Sequence, residues 1–219
     1  MSNELRVGLT MREIQADGYD EPRDALARVW GKFLESAVPE AAWLPVPNLG
    51  AASAPLFCDR WGINALILTG GEDLGVSPVR DETERALWQH FVRSDRPILG
   101  VCRGLQLLWS ALGGEVERRP GHVAVRHLVR FANDAALNLQ DSVAQVNSFH
   151  GLSLSESDGA IRQRVRVFAR ADDGSVEGVR VCDGRSVGIM WHPEREETAS
   201  ATDIALIRTL FGLQHGGRK

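Results

Sequence analysis

The sequence predicts an α/β fold: an open, mostly parallel sheet flanked by helices, flavodoxin-like, with a group of antiparallel strands in the C-terminal half. Three observations carry this prediction. Strand-like and helix-like apolar periods alternate through the first half, the pattern of a parallel sheet wrapped by helices. Two short apolar runs, Ile63 to Leu68 and Pro97 to Val101, end in glycine-containing turns, as strands buried on both faces do. Beyond Val165 the pattern changes to two strand-like segments on either side of Asp172-Asp173-Gly174, a hairpin signal.

Taken in order, Leu5 to Leu9 read as the first strand. Pro22 sits where a proline opens a helix, and Leu26, Val29, Trp30, Phe33, Leu34 and Ala37 form one apolar stripe, so a helix is expected from Pro22 onward. Trp43 to Val46 form a short strand before Pro47, and Ile63 to Leu68 the next, ending at Thr69-Gly70-Gly71-Glu72-Asp73. Arg80 to Arg93 reads as a helix with acidic residues near its start, where they suit the helix dipole. Val165 to Ala169 and Val176 to Val181 pair antiparallel, Ser186 to Met190 is a further strand, and Ile204, Ile207 and Phe211 mark a closing amphipathic helix. Gly216 to Lys219 reads as a frayed tail, and one domain is expected over residues 1–219.

Composition bounds the class. The 219 residues are 43% hydrophobic and 25% charged with a net charge of −4, an ordinary globular balance without a nucleic-acid footprint. The arginines at 118–119 and between Arg126 and Arg130 read as a solvated face. The N-terminal Met-Ser-Asn-Glu-Leu-Arg has no signal character and no apolar run approaches spanning length, so a cytoplasmic protein away from membranes is expected. Three cysteines without regular spacing argue against a disulfide framework, and no zinc-ligand spacing is present, so neither metal nor cofactor is expected.

Chemistry concentrates at Gly100-Val101-Cys102-Arg103-Gly104. A strand enters this motif, and Leu105, Leu108, Trp109 and Leu112 leave it at helical spacing, which makes Cys102 a nucleophile-elbow candidate whose thiol the helix N-terminus is expected to acidify. Far downstream, Trp191-His192-Pro193-Glu194 offers a base and its orienting carboxylate, two residues apart on one face of an extended segment. Cys58 and Cys182 lack such company and read as structural or incidental. His90, His122, His127 and His215 show no partner pattern and read as surface residues. The Gly70-Gly71 turn, Cys102 and His192 all fall at strand ends, the edge where open sheets gather reactive groups.

Gly100 to Gln106, Gly70 to Asp73, Val146-Asn-Ser-Phe-His150, Asp173-Gly174-x-Val-Glu177 and Gly188-x-x-Trp-His192-Pro-Glu194 together resemble the class I glutamine amidotransferase superfamily, in particular its γ-glutamyl-hydrolase branch. The resemblance implies that Cys102 attacks a γ-glutamyl amide, that His192 moves the proton, and that Glu194 holds the imidazole. It also implies an oxyanion hole from the amides of Gly71 and Arg103, and recognition of the glutamyl group by Gln106 and by Asn147, Ser148, Phe149 and His150. His150 is left between a pocket residue and a plain loop histidine.

The leaving half of the substrate is a finer matter. Only a few residues separate Asp73 from Arg80-Asp81, where that branch commonly carries an insertion, which argues against carrying over a γ-aminobutyrate specificity. Gly18 to Leu26, Trp30-Gly31 and the compact Gly70 to Glu84 segment are instead similar to the γ-glutamyl-CDP-amidate hydrolases of capsule synthesis, which implies Arg23, Arg80, Arg103 and Arg126 as candidate diphosphate ligands. For Arg23 and Arg80, salt bridges to Glu21, Asp24 or Glu84 are the competing reading. A glutaminase subunit serving a synthetase, a γ-aminobutyrate-type hydrolase and a homodimer stay open, whereas a non-catalytic binding protein is disfavoured by intact Cys102, His192 and Glu194.

Overall fold

A computed structural model describes residues 4–156, 159 and 161–213; the tail expected at 216–219 and His215 lie outside the described residues. Strand β1 (Arg6–Thr10) is followed by a small separate hairpin, β2 (Arg12–Gln15) and β3 (Pro22–Ala25). Then come α1 (Val29–Ala37), β4 (Ala42–Val46), α2 (Gly50–Arg60), β5 (Ala65–Leu68), α3 (Pro78–Arg93), β6 (Ile98–Val101) and α4 (Arg103–Ala111). The remaining elements are β7 (Val116–Arg118), β8 (Val123–Phe131), β9 (Ser142–Phe149), β10 (Leu152–Leu154), β11 (Val165–Ala171), β12 (Val176–Val181), β13 (Ser186–Ile189) and α5 (Ala201–Leu210).

Nine strands form one sheet in the order β4-β1-β5-β6-β13-β12-β11-β8-β9. The pairings from β4 to β13 are parallel and those from β13 to β9 antiparallel, so that β12 and β8 run against the rest. The expected mostly parallel α/β sheet with an antiparallel C-terminal group is therefore present. Alternation along β5 divides the core: Ala65 and Ile67 face Trp30, Phe33 and Leu34 of α1 and Leu206, Ile207 and Leu210 of α5. Leu66 and Leu68 face the opposite layer, made by Cys58 of α2, Leu87 and Phe91 of α3 and Leu107 of α4. No helix among the described residues is long and apolar enough to cross a membrane.

Three expectations need correction. Pro22 opens strand β3, not a helix: Pro22–Ala25 pairs antiparallel with Arg12–Gln15, and the Asp24 carboxylate accepts from the Asn48 amide and side chain at 2.9 and 2.6 Å, so the helix starts only at Val29. Helix α2 was not foreseen; its first amides are capped from α3, Gly50 N–H by Thr83 Oγ1 at 2.8 Å and Ala51 N–H by Glu82 at 3.1 Å. The arginines read as a solvated face reach solvent as expected, the exposed Arg126 and Arg130 of β8 pairing with Glu196 at 2.9 Å and Asp172 at 3.0 Å and the half-buried Arg119 with Asp173 at 3.1 Å. Helix α3 begins two residues earlier than expected, at Pro78, behind a Ser77 cap.

Candidate active site

Cys102 occupies the turn between β6 and α4 with φ 51° and ψ −103°, a conformation costing a non-glycine residue about 1–3 kcal/mol. Its surroundings over-determine it. The Cys102 N–H donates to the Ile189 carbonyl of β13 at 2.7 Å. The two flanking glycines let strand and helix approach: a Cβ on Gly100 would stand 2.7 Å from the Gly104 backbone, and one on Gly104 only 2.2 Å from the Leu68 carbonyl oxygen. The elbow predicted from the sequence is thus built from close backbone contact among β5, β6 and α4.

The candidate base, His192, arrives on the neighbouring strand. Val101 of β6 pairs with Ile189 of β13, so Cys102 and His192 both emerge beyond the same ends of adjacent parallel strands. The buried His192 meets Glu194 through Nδ1 and Oε1 at 2.8 Å, an arrangement that leaves Nε2 free to exchange a proton. Its ring also lies over Gly70, whose added Cβ would come within 2.6 Å of Cε1. Strand β5 thereby delivers the Gly70-Gly71 turn, β6 the cysteine and β13 the histidine to one place.

The turn beside the histidine is braced by Arg80. Its guanidinium donates to the Thr69 carbonyl at 2.8 Å, the Gly70 carbonyl at 3.2 Å and Glu72 at 2.9 Å, while Nε binds Glu84 at 2.9 Å. Gly71 has no room for a side chain, since a Cβ there would meet Arg80 Nη1 at 2.2 Å. The Arg103 side chain binds the other Glu84 oxygen and Asp81. Glu84 and Arg80 are fully buried, so α3 ties the turn after β5 to the elbow after β6 through one carboxylate.

Burial pushes the Cys102 thiol up to about 12, with the charges of Glu194 and Glu177 adding to it, against the opposing Arg103 backbone amide and the Arg195 guanidinium. This corrects the expectation that the helix end acidifies the thiol: one amide donor does not offset removal from water. A thiol held up in this way would need a neighbouring group to accept its proton before it could act as a nucleophile.

Several residues expected to touch substrate do other work. Asn147 clamps the histidine backbone, accepting from His192 N–H at 2.9 Å and donating to the His192 carbonyl at 2.8 Å. Ser148 is buried and donates to the His122 carbonyl at 2.7 Å. His150 turns into a cluster with His122, His127 and Glu177, so His122 and His127 are not plain surface residues; His90 pairs with Asp59 at 2.9 Å. Arg80 and Arg103 are buried in the ion network and present no exposed guanidinium to a diphosphate, while Arg126, half-exposed, is paired with Glu196. Arg23 is exposed and held by Glu21 and Tyr19, the bland reading. Gln106 is buried on α4 with Nε2 at 3.5 Å from the Leu152 carbonyl, and Phe149 stands edge-on to His192 at 5.8 Å between ring centroids.

Two cations at the site were not singled out in the sequence. Arg12 and Arg195, each about half exposed, line a small cavity together with Trp30, Gly70, Gly71 and Glu194. Arg195 stacks on Phe149 at 4.4 Å and lies 3.7 Å from Glu194. Its position directly after Glu194 was the one available signal.

Comparison with known proteins shows what the chain as a whole is similar to. The gamma-glutamyl-CDP-amidate hydrolase of Campylobacter jejuni is 26% identical over 213 residues, covering 94% of this chain and 98% of that protein. The gamma-glutamyl-gamma-aminobutyrate hydrolase PuuD of Escherichia coli K12 is 29% identical over 163 residues, 64% of this chain and 61% of that protein. Among solved structures, the acivicin-bound glutaminase domain of Trypanosoma brucei CTPS superposes with a TM-score of 0.73 at 13% identity, covering 97% of this chain and 96% of that one, a likeness of fold. Residues 61–194, a span that holds Cys102, His192 and Glu194, match the Peptidase C26 family. With more than half its length in that match, and in keeping with the resemblance to class I glutamine amidotransferases read from its motifs, this chain belongs to the Peptidase C26 family.

Proposed function

We propose that this protein hydrolyses the γ-glutamyl amide bond of a glutamine conjugate through a glutamyl thioester on Cys102. The observation that carries the reading is the Glu194–His192 pair, 2.8 Å apart, beside a strained cysteine elbow on the adjacent strand. His192 takes the thiol proton as the sulfur attacks the γ-carbonyl carbon. The amides of Gly71 and Arg103 receive the oxyanion, each such donor contributing on the order of a hundredfold in rate or more. The C–N bond then breaks, and His192 returns the proton to the departing nitrogen. Water attacks the thioester with His192 as base, the C–S bond breaks, and glutamate leaves.

For the leaving half, the reading is a cytidine diphosphate carried on the amide nitrogen, so that glutamate and cytidine diphosphoramidate are released. Two observations support it: a relative named for that reaction is matched over nearly its whole length, and two half-exposed guanidinium groups, Arg12 and Arg195, line a cavity beside the Gly70-Gly71 turn and Glu194, cationic groups suited to a diphosphate. Glutamate release from glutamine, γ-glutamyl-γ-aminobutyrate and γ-glutamyl-CDP-amidate by the purified protein tests both levels. Turnover of the CDP conjugate is expected to dominate, and Arg195→Gln is expected to raise KM about tenfold or more for that substrate, as loss of a charge-assisted contact does. Equal or better turnover of the γ-aminobutyrate conjugate would replace the nucleotide reading. Activity on glutamine alone, dependent on an added synthetase, would replace the stand-alone hydrolase.

A further inference from the structure

Beside the catalytic residues, the antiparallel half of the sheet holds a cluster that the proposed hydrolysis does not use. His122 precedes β8, His127 lies on it, His150 follows β9 and Glu177 lies on β12. Glu177 is fully buried and His122 and His150 nearly so. Five of their polar atoms are buried without a hydrogen-bond partner: His122 Nδ1, His127 Nε2, His150 Nε2 and both oxygens of Glu177. Buried polar atoms of this kind are rare in native proteins and point to an absent ion or water.

The spacing decides between explanations. The three imidazole nitrogens stand 3.6, 3.7 and 3.5 Å from the nearest Glu177 oxygen. A charged imidazolium–carboxylate hydrogen bond would close to about 2.7–2.9 Å. Two donors bound to one tetrahedral ion at about 2.0–2.1 Å sit about 3.4 Å apart. The observed distances suit donors that share an ion.

The outward nitrogens fix which ring atoms are free. His122 Nε2 lies 3.1 Å from the Asp173 carboxylate, and His150 Nδ1 lies 2.9 Å from the Leu152 carbonyl. Each acceptor draws the ring proton to its own side, so in the neutral tautomers His122 Nδ1 and His150 Nε2 turn lone pairs toward the lone pairs of Glu177. That confrontation is repulsive unless a proton, a water or a metal ion lies between, and the 3.5–3.7 Å spacing is that of a shared metal ion. A carboxylate or carbonyl behind a ligating imidazole is also the usual support of metal-bound histidine.

We propose that His122, His127, His150 and Glu177 bind a divalent first-row transition metal of the zinc class. One donor atom from each of His122, His127 and Glu177 lies within 4.8 Å of the others, and His150 Nε2, 3.5 Å from the Glu177 oxygen that His122 faces, stands beside that set as a candidate fourth donor. With His150 drawn in, three imidazoles and one carboxylate would make a closed tetrahedral set, the form of a structural metal centre. The ion would pin β8, the end of β9 and β12 together, and β9 carries Asn147, the clamp on His192. The four ligands come from three separated stretches, which is why no zinc spacing is visible along the chain.

The test is metal content. The protein is purified through a tag without histidine, in chelator-free buffer, both as wild type and as Cys102→Ala, which removes the thiol of the catalytic pair as a rival metal ligand. After dialysis against zinc and then against metal-free buffer, elemental analysis is expected to find about one zinc per chain in both proteins, and cobalt in its place is expected to give the intense visible bands of a tetrahedral ion. Glu177→Gln and His127→Gln are each expected to lose most of the metal. Less than about a tenth of an ion per chain in the wild type, or full stoichiometry in both cluster variants, overturns the proposal. If those variants fail to fold, the stoichiometry and cobalt spectrum of the Cys102→Ala protein decide it alone. Because the readout is bound metal, its failure leaves the hydrolase reading untouched.

Discussion

Gly70→Ala separates the position of the base from the stability of the fold. An added Cβ would sit 2.6 Å from His192 Cε1, where ordinary contact begins at 3.4 Å, so one side must give by 3.4 − 2.6 = 0.8 Å. The turn is held by Arg80 on the carbonyls of Thr69 and Gly70, whereas the ring, among the described residues, is held by the Glu194 hydrogen bond and the edge of Phe149. The ring is expected to move. A misplacement near 1 Å costs about a hundredfold, so kcat for glutamate release is expected to fall roughly fifty- to hundredfold. Gly70 lies outside the left-handed region, and alanine there is expected to change unfolding free energy by no more than about 1 kcal/mol. Initial rates and a urea titration on the same preparation read both quantities. Turnover within about threefold of wild type in a protein of unchanged stability would refute the placement of His192 as the proton carrier.

Three further outcomes follow from the same contacts. Glu194→Gln keeps the shape but not the charge that orients the His192 ring, and is expected to lower kcat about 10³–10⁴-fold with little change in KM; a loss below tenfold would remove Glu194 from the mechanism. Glu84→Ala strands the buried guanidinium groups of Arg80 and Arg103 and is expected to cost about 3–5 kcal/mol in urea unfolding, a cost below about 1 kcal/mol contradicting the network. Burial pushes the Cys58 thiol up to about 12, so above the ordinary range of a free thiol the unfolded chain releases a proton that the folded one keeps. Stability is therefore lost as pH rises, by about 1.4 kcal/mol per pH unit for this thiol, and Cys58→Ala is expected to flatten the alkaline slope of unfolding free energy by that amount; an unchanged slope would refute it.

The parallel half of the fold was legible because each element there signals locally. The apolar runs before Thr69 and Cys102 are buried on both faces, and the α1 stripe from Trp30 to Ala37 faces the core as its spacing requires. What the chain concealed depends on partners far away. Helix α2 has a weak stripe and an internal proline, and its start is completed by Thr83 and Glu82. Pro22 satisfies strand and helix openings equally, and the pairing of β3 with β2 decides the matter. The pairing of His192 with Glu194 was readable because the two lie close in sequence. The destinations of Asn147, Ser148, Arg80 and Arg103 were not, since an exposed ligand-binding arginine and a buried ion-paired one are written with the same letter.

Helix α3 has a consequence for how the reactive centre responds to disturbance. Because Glu84 grips Arg80 beneath one turn and Arg103 at the next, a push on that helix is geared to both sides of the cradle together. Residues 70 and 103 are thus anchored to one buried carboxylate, and whatever disturbs that single group is felt on both flanks of the elbow.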